Sequence, residues 1–202
     1  LREAGQGTAG VAWRDYKGLR SDNPEALPFD VRAPYCFHMS LPLRDREMTV
    51  EDLYVMPDDG FNYELQAGLL VSEPLAGGRH GWVVAAVAEM LRAHVRKHRL
   101  GVVFAGDSGF VLARKPDTVR GPDVAFVSSE RFERSGDAVK AFAGAPDLAV
   151  EVLLPSNTPA ARHAQVADYL AAGTRRVWVI GPESQTVTVY ASWLWPLKLG
   201  EA

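Results

Sequence analysis

The segment Leu148-Ala149-Val150-Glu151-Val152-Leu153-Leu154 constrains the fold more than any other, because its apolar side chains fall on both faces of an extended chain. A strand of that kind has to be covered on both sides, as the central strands of layered α/β and α+β proteins are. Glu151, in its middle, is the anomaly. An ionised carboxylate in apolar surroundings is costly unless a cation, a metal or a hydrogen-bond donor stands beside it. Three arrangements meet that need: a strand end that reaches solvent, an ion pair with an arginine, or a metal site.

The rest of the chain can supply the cover. Its 202 residues suit one domain with tails better than two domains, and an apolar share of 47% is enough for a sizeable core. Residues 1–47 hold scattered Gly, Pro and Arg without a sustained period and read as a loose arm, to which Cys36 and His38 belong; the ordered domain is expected over 48–202. Thr49 followed by Asp52 predicts a helix start, with Leu53, Tyr54 and Met56 in a short helix that stops near Pro57-Asp58-Asp59-Gly60. Tyr63-Glu64-Leu65 and Leu69-Leu70-Val71 predict two short strands around a turn at Gly68. After Gly77-Gly78 a long helix is expected over about 80–98, with Val84, Val87, Leu91 and Val95 as its buried stripe.

Val102-Val103-Phe104 and Phe110-Val111-Leu112 read as a hairpin around Gly106-Asp107-Ser108-Gly109, and Val124-Ala125-Phe126-Val127 as the next strand. Pro155-Ser156-Asn157-Thr158 ends the Glu151 strand and opens a helix over 159–172, with Val166 and Leu170 inward and Gly173 as its stop. Arg176-Val177-Trp178-Val179-Ile180 and Thr186-Val187-Thr188-Val189-Tyr190 follow as strands joined by a Gly-Pro turn. The order helix, strands, helix, strands predicts an α/β or α+β sandwich with a mixed sheet.

The net charge of −3 argues against a strongly basic nucleic-acid coat, while leaving room for a local patch. With Cys36 as the single cysteine, neither an internal disulfide nor a cysteine-based zinc site can form, which fits a reducing cytoplasm. No stretch approaches the roughly 20 apolar residues of a membrane span. The chain begins at Leu1 without an initiator Met, which fits a fragment or an upstream extension.

Asp123, in Gly121-Pro122-Asp123, begins the strand before that of Glu151. As a pair the two acids can lie side by side on adjacent strands, about 5 Å apart. Two hard carboxylates at that spacing suit Mg²⁺ (or Mn²⁺), which keeps waters in its other positions and can activate one of them. Pro146-Asp147 is a rival, but four residues of strand place Asp147 roughly 13 Å from Glu151. His80 and His163 sit on the two helices; a His near a metal site can act as acid or base, but a lone histidine more often packs or faces water. No phosphate-binding Gly-rich loop with a Lys-Ser/Thr partner and no Gly-x-Ser-x-Gly turn is present.

Met48-Thr49-Val50-Glu51-Asp52-Leu53, Tyr63-Glu64-Leu65-Gln66-Ala67-Gly68, Gly121-Pro122-Asp123-Val124, Pro146-Asp147-Leu148-Ala149-Val150-Glu151-Val152-Leu153 and Val177-Trp178-Val179-Ile180 occur in the order and spacing of a known family. On these segments residues 48–190 resemble the Uma-two family of restriction-endonuclease-like proteins, which is similar to the PD-(D/E)xK nucleases. The resemblance implies a mixed β-sheet core flanked by helices and metal-dependent cleavage of phosphodiester bonds in nucleic acid, DNA first. It implies Asp123 and Glu151 as catalytic and metal-binding acids, with Glu64 joining the metal site. In the simple motif a Lys stands two residues after the second acid, where this chain has Leu153. In relatives whose Lys has moved to the next helix it stands four residues before a Tyr, and counting back from Tyr169 gives Gln165. Arg162, one turn earlier on the same face, is the candidate to replace the missing charge.

Two functions remain open on this reading: an endonuclease, or a nuclease fold that binds nucleic acid or protein without cutting because Gln165 replaces Lys. Arg92, Arg96, Lys97 and Arg114 fit either backbone-phosphate contacts or an ordinary solvated face. A homodimer is expected by analogy with related nucleases. The family continues with sheet-edge material after a strand like 186–190, so the apolar end from Ala191 onward either packs on the core or marks a truncation.

Overall fold

The computed structural model describes residues 47–56, 61–73, 75–106, 108–135, 141–191 and 194–199, all within the unit His38–Ala202. The arm expected over 1–47 therefore lies, except for Glu47, outside the described residues, as do Cys36, His38 and the turn at 57–60.

Helix α1 (Val50–Leu53) starts as its sequence predicts. The Asp52 carboxylate accepts the Thr49 N–H at 2.8 Å, and the Thr49 hydroxyl accepts the Asp52 N–H at 3.4 Å, closing a capping box. The buried Asp117 carboxylate takes the Val50 N–H at 2.8 Å, so the first turn is tied to the core from a second side. The helix is shorter than expected: Tyr54 is already its C-cap, and the Tyr54 hydroxyl accepts the Ala141 N–H at 3.1 Å. Strands β1 (Asn62–Gln66) and β2 (Leu69–Glu73) form the expected hairpin. Its two turn residues, Ala67 and Gly68, both have positive φ (48° and 78°), the signature of a twist-matched two-residue turn.

Helix α2 (Gly78–His98) buries Val83, Val87 and Val95, with Val84 and Leu91 packed at the edge of the same cluster. The buried face is thus broader than the expected stripe. The remaining elements are β3 (Gly101–Ala105), β4 (Phe110–Ala113), β5 (Thr118–Arg120), β6 (Val124–Ser128), α3 (Ser129–Ser135), β7 (Phe142–Ala143), β8 (Leu148–Val152), α4 (Pro159–Ala171), β9 (Arg176–Gly181), β10 (Thr186–Ala191) and β11 (Leu194–Leu199). Thr158 caps α4 by accepting the Ala161 N–H, and Gly173, at φ 94°, ends it.

The strands make two sheets, in the orders β2-β1-β5-β4-β7 and β11-β10-β9-β8-β6-β3. Each is mixed: β4–β7 and β8–β9 are parallel, the other pairs antiparallel. The expected β3–β4 hairpin does not form. β3 pairs with β6 and β4 with β5, so the link between them crosses from one sheet to the other. The reason lies in the aromatic core between the sheets, where Phe104 of β3 meets Phe110 of β4 edge-on at 5.6 Å and Phe142 of β7 at 6.0 Å. Across the two layers these rings form one buried aromatic cluster with Ala125 and Val127 of β6.

β8 occupies the central place its composition requires, between β6 and β9. On one face Val150 and Val152 pack with Val83 and Val87 of α2. On the other, Ala149 packs with Val166 and Tyr169 of α4, while Ala125 and Val127 of β6 meet Phe110 and Phe142 of the five-stranded sheet. By strand alternation Glu151 shares the Ala149 face, toward α4. The C-terminal segment is a sheet strand: β11 pairs antiparallel with β10 at the edge of the six-stranded sheet. The register shifts between Val189 and Ala191, opposite the stretch that contains Pro196, and an edge position with an irregular ladder tolerates a residue without an N–H. Among the described residues no helix is long and apolar enough to cross a membrane.

Candidate active site

Val124 pairs with Val150 and Ala125 with Ala149 in the antiparallel ladder of β6 and β8. Extending that register by one residue sets Asp123 opposite Glu151. Both line one cavity of about 300 Å³, together with His80 of α2, Arg120 at the end of β5, and Arg162 and Gln165 of α4. Leu153, where the simple motif would have Lys, also lines it.

Each acid is held by a donor from a different element. Asp123 Oδ2 accepts the Val152 N–H at 2.6 Å, which locks the start of β6 to the end of β8. Asp123 Oδ1 lies 3.2 Å from His80 Nε2 in the first turn of α2. Glu151 Oε1 accepts the Tyr169 hydroxyl at 2.8 Å. Burial of Tyr169, then the nearby Glu151 charge, pushes the phenol well above the usual tyrosine range, so it serves as a neutral donor.

Glu64, on β1, has donors of its own. Its Oε1 accepts the Gly121 N–H at 2.6 Å and its Oε2 the Arg120 Nη1 at 2.8 Å. Arg120 completes its fork on Asp168 Oδ2, from Nε at 3.0 Å and Nη2 at 2.6 Å. A buried guanidinium thereby joins β1, β5 and α4, while Glu64 fixes the backbone two residues before Asp123 through the Gly121 N–H. Burial alone would lower the Arg120 pKa, but Glu64 and Asp168 overcome it and raise the pKa above the ordinary arginine value. Glu64, expected in the metal site, is absent from the cavity lining and engages Arg120 and Gly121.

Arg162, Gln165 and Tyr169 fall at three- and four-residue spacing, hence on one face of α4. His163, by contrast, is exposed and does not line the cavity. Arg92, Arg96 and Lys97 are exposed at the far end of α2; at about 1.5 Å per residue, Arg92 and Arg96 lie roughly 18 and 24 Å along the axis from His80. Arg114 is half exposed and is paired with Glu51 and Asp117, both at 3.1 Å. Asp147, the rival acid, is at the other end of β8: it accepts the Ser128 N–H at 2.8 Å and pairs with Arg131 at 3.3 Å.

Among the described residues no three His, Cys, Asp or Glu side chains converge on a point. Two carboxylates facing one roomy cavity do fit Mg²⁺ or Mn²⁺, hard cations that keep much of their water. A carboxylate accepts at about four lone-pair positions, so being oriented by one donor does not prevent it from ligating a cation.

Sequence reasoning assigned no role to Arg120, Asp168 or the Tyr169 hydroxyl. Arg120 carried little signal: its strand, Thr118–Arg120, is three residues long and has no apolar run to mark the charge as out of place. Tyr169 carried none beyond its helical spacing from Gln165.

Comparison with known proteins bears on this arrangement. None of the curated proteins compared matches the chain. A crystal structure described as that of "a putative nuclease belonging to DUF820" from Anabaena variabilis is similar to it, with a TM-score of 0.66 and 22% identity over 76% of this chain and 85% of that one. That likeness establishes a shared fold. A family model named Uma2, described as "Putative restriction endonuclease", matches residues 50–193, which include both sheets up to β10, the cavity and its two facing acids. The chain belongs to the Uma2 (Uma-two) family.

Proposed function

We propose that this chain is a metal-dependent endonuclease that hydrolyses phosphodiester bonds in DNA, with Mg²⁺ or Mn²⁺ held by Asp123 and Glu151. The observation that carries the reading is that these two carboxylates, at opposed positions of neighbouring strands, face one cavity. Family membership supports the reaction class. In the reaction a water oxygen bonds to phosphorus, the bond from phosphorus to the leaving sugar oxygen breaks, the leaving oxygen takes up a proton, and the attacking water gives one to solvent. When bound, the cation supplies positive charge to the phosphate oxygens and makes a water more acidic. Val152 N–H and the Tyr169 hydroxyl keep Asp123 and Glu151 aimed. His80 orients Asp123 from the opposite side. Gln165 can hydrogen-bond a water in the cavity but brings no charge to it.

The test is conversion of supercoiled DNA to the nicked form with Mg²⁺ or Mn²⁺. Glu151→Ala is expected to reduce nicking at least a hundredfold; undiminished nicking rejects the assigned site. Gln165 favours a second reading, a nuclease fold that binds DNA or protein without cutting. Cleavage by Gln165→Lys but not by the wild type identifies a decayed nuclease, and metal binding without cleavage by either identifies a binding module. A single cysteine supports cytoplasmic work, and a homodimer, testable by sedimentation, would bring two such sites to the two strands of a duplex.

A further inference from the structure

Arg162 differs from the other arginine in the cavity. Arg120 spends Nε, Nη1 and Nη2 on Glu64 and Asp168. Arg162 Nε is shielded from solvent and has no hydrogen-bond partner. The side chain is half buried, lines the cavity, and enters no ion pair among the described residues. An N–H cut off from water and from any acceptor is destabilising, and a shift of the half-buried side chain that turns Nε onto a ligand oxygen in the cavity removes the penalty.

We infer that Arg162 is the phosphate anchor of the cavity, its guanidinium taking a non-bridging phosphate oxygen of a nucleic-acid strand; the identity of the strand rests on the proposed function, while the anion site does not. Nε–H and a neighbouring Nη–H form the planar fork that matches two oxygens of a phosphate, which a lysine cannot do. The charges favour such a group. Asp123 and Glu151 repel a phosphate, a divalent cation between them offsets their two charges, and Arg120 is already neutralised by its two acids. Arg162 adds positive charge to the cavity beyond that of the cation. Its place on α4, one turn from Gln165, sets the phosphate on the α4 side of the two acids.

The experiment compares wild type, Arg162→Ala and Arg162→Lys for binding of inorganic phosphate and of a 20-base-pair DNA duplex, in EDTA and with Ca²⁺, alongside the ligand-free melting temperature. Arg162→Ala is expected to weaken both ligands at least tenfold. Its ligand-free melting temperature should be unchanged or raised, because a shielded N–H without an acceptor has been removed; Arg162→Lys should recover only part of the affinity. Wild-type affinity of Arg162→Ala for either ligand overturns the anchor. Should that variant fail to fold, Arg162→Gln, which keeps most of the length and loses the charge, gives the same comparison. Nicking with Mg²⁺, read in parallel, separates the two claims. Absence of wild-type nicking with Arg162-dependent binding intact counts against the nuclease and for the anchor. Undiminished nicking by Arg162→Ala counts against the anchor alone.

Discussion

Tyr169 and Glu151 link α4 to the central strand by a side-chain hydrogen bond of 2.8 Å. Because the phenol is held neutral by burial and by the Glu151 charge, it donates throughout the range in which the protein would work. Tyr169→Phe is expected to lower stability by about 1 kcal/mol and to weaken Mn²⁺ binding roughly tenfold, as loss of a group orienting a metal ligand does. Titration calorimetry on both proteins reads the second effect directly. Arg120 has the opposite balance, with stability at stake before chemistry. Arg120→Met leaves the buried Glu64 carboxylate without its counter-charge and should cost about 3–5 kcal/mol in a urea titration. Adding Glu64→Gln should recover part of that loss, since the stranded charge goes with it.

At the scale of elements, Asp147 ties β8 to β6 and α3 through Ser128 and Arg131. Burial would raise its pKa, but the Ser128 contacts and Arg131 prevail and hold it below the ordinary 3.8. A depressed folded pKa means that the stabilisation is present above the unfolded value of about 3.9 and is lost as pH falls through the folded one. Asp147→Asn should therefore cost about 1–3 kcal/mol near pH 7, and the gap to wild type should close below about pH 4. Melts between pH 3 and 7 check it. The same elements mark what a sequence reader can see. The capping box at Thr49 and Asp52, the two-sided apolar run of β8 and the helical spacing in α2 and α4 are local patterns, and each produced its element. The β3–β4 pairing was misjudged because Phe104 and Phe110 look alike whether they face across a hairpin or across two layers. β5 and β7 are three and two residues long, too short to show a period. Of the candidate site, Asp123 and Glu151 could be placed from strand order alone. The Arg120 link was invisible because Glu64 and Asp168 lie 56 and 48 residues away from it in the chain.

For the whole molecule, the cavity draws its walls from α2, β5, the start of β6, the end of β8 and α4, so a ligand there cross-links most of the fold. Mg²⁺ at about ten times its Kd should add about 1.4 kcal/mol, a rise in Tm of roughly 3–5 °C for a chain of this size. Glu151→Ala should show no such rise. Helix α2 has a further consequence, since it begins at the cavity with His80 and ends in Arg92, Arg96 and Lys97. A rigid rod 18–24 Å long, set against a duplex rising about 3.4 Å per base pair, reaches roughly five to seven base pairs. Under the proposed function α2 acts as a ruler. A duplex trimmed to three or four base pairs on that side of the scissile bond would still fit the cavity, yet would lose its hold on the cationic tip about half a helical turn away.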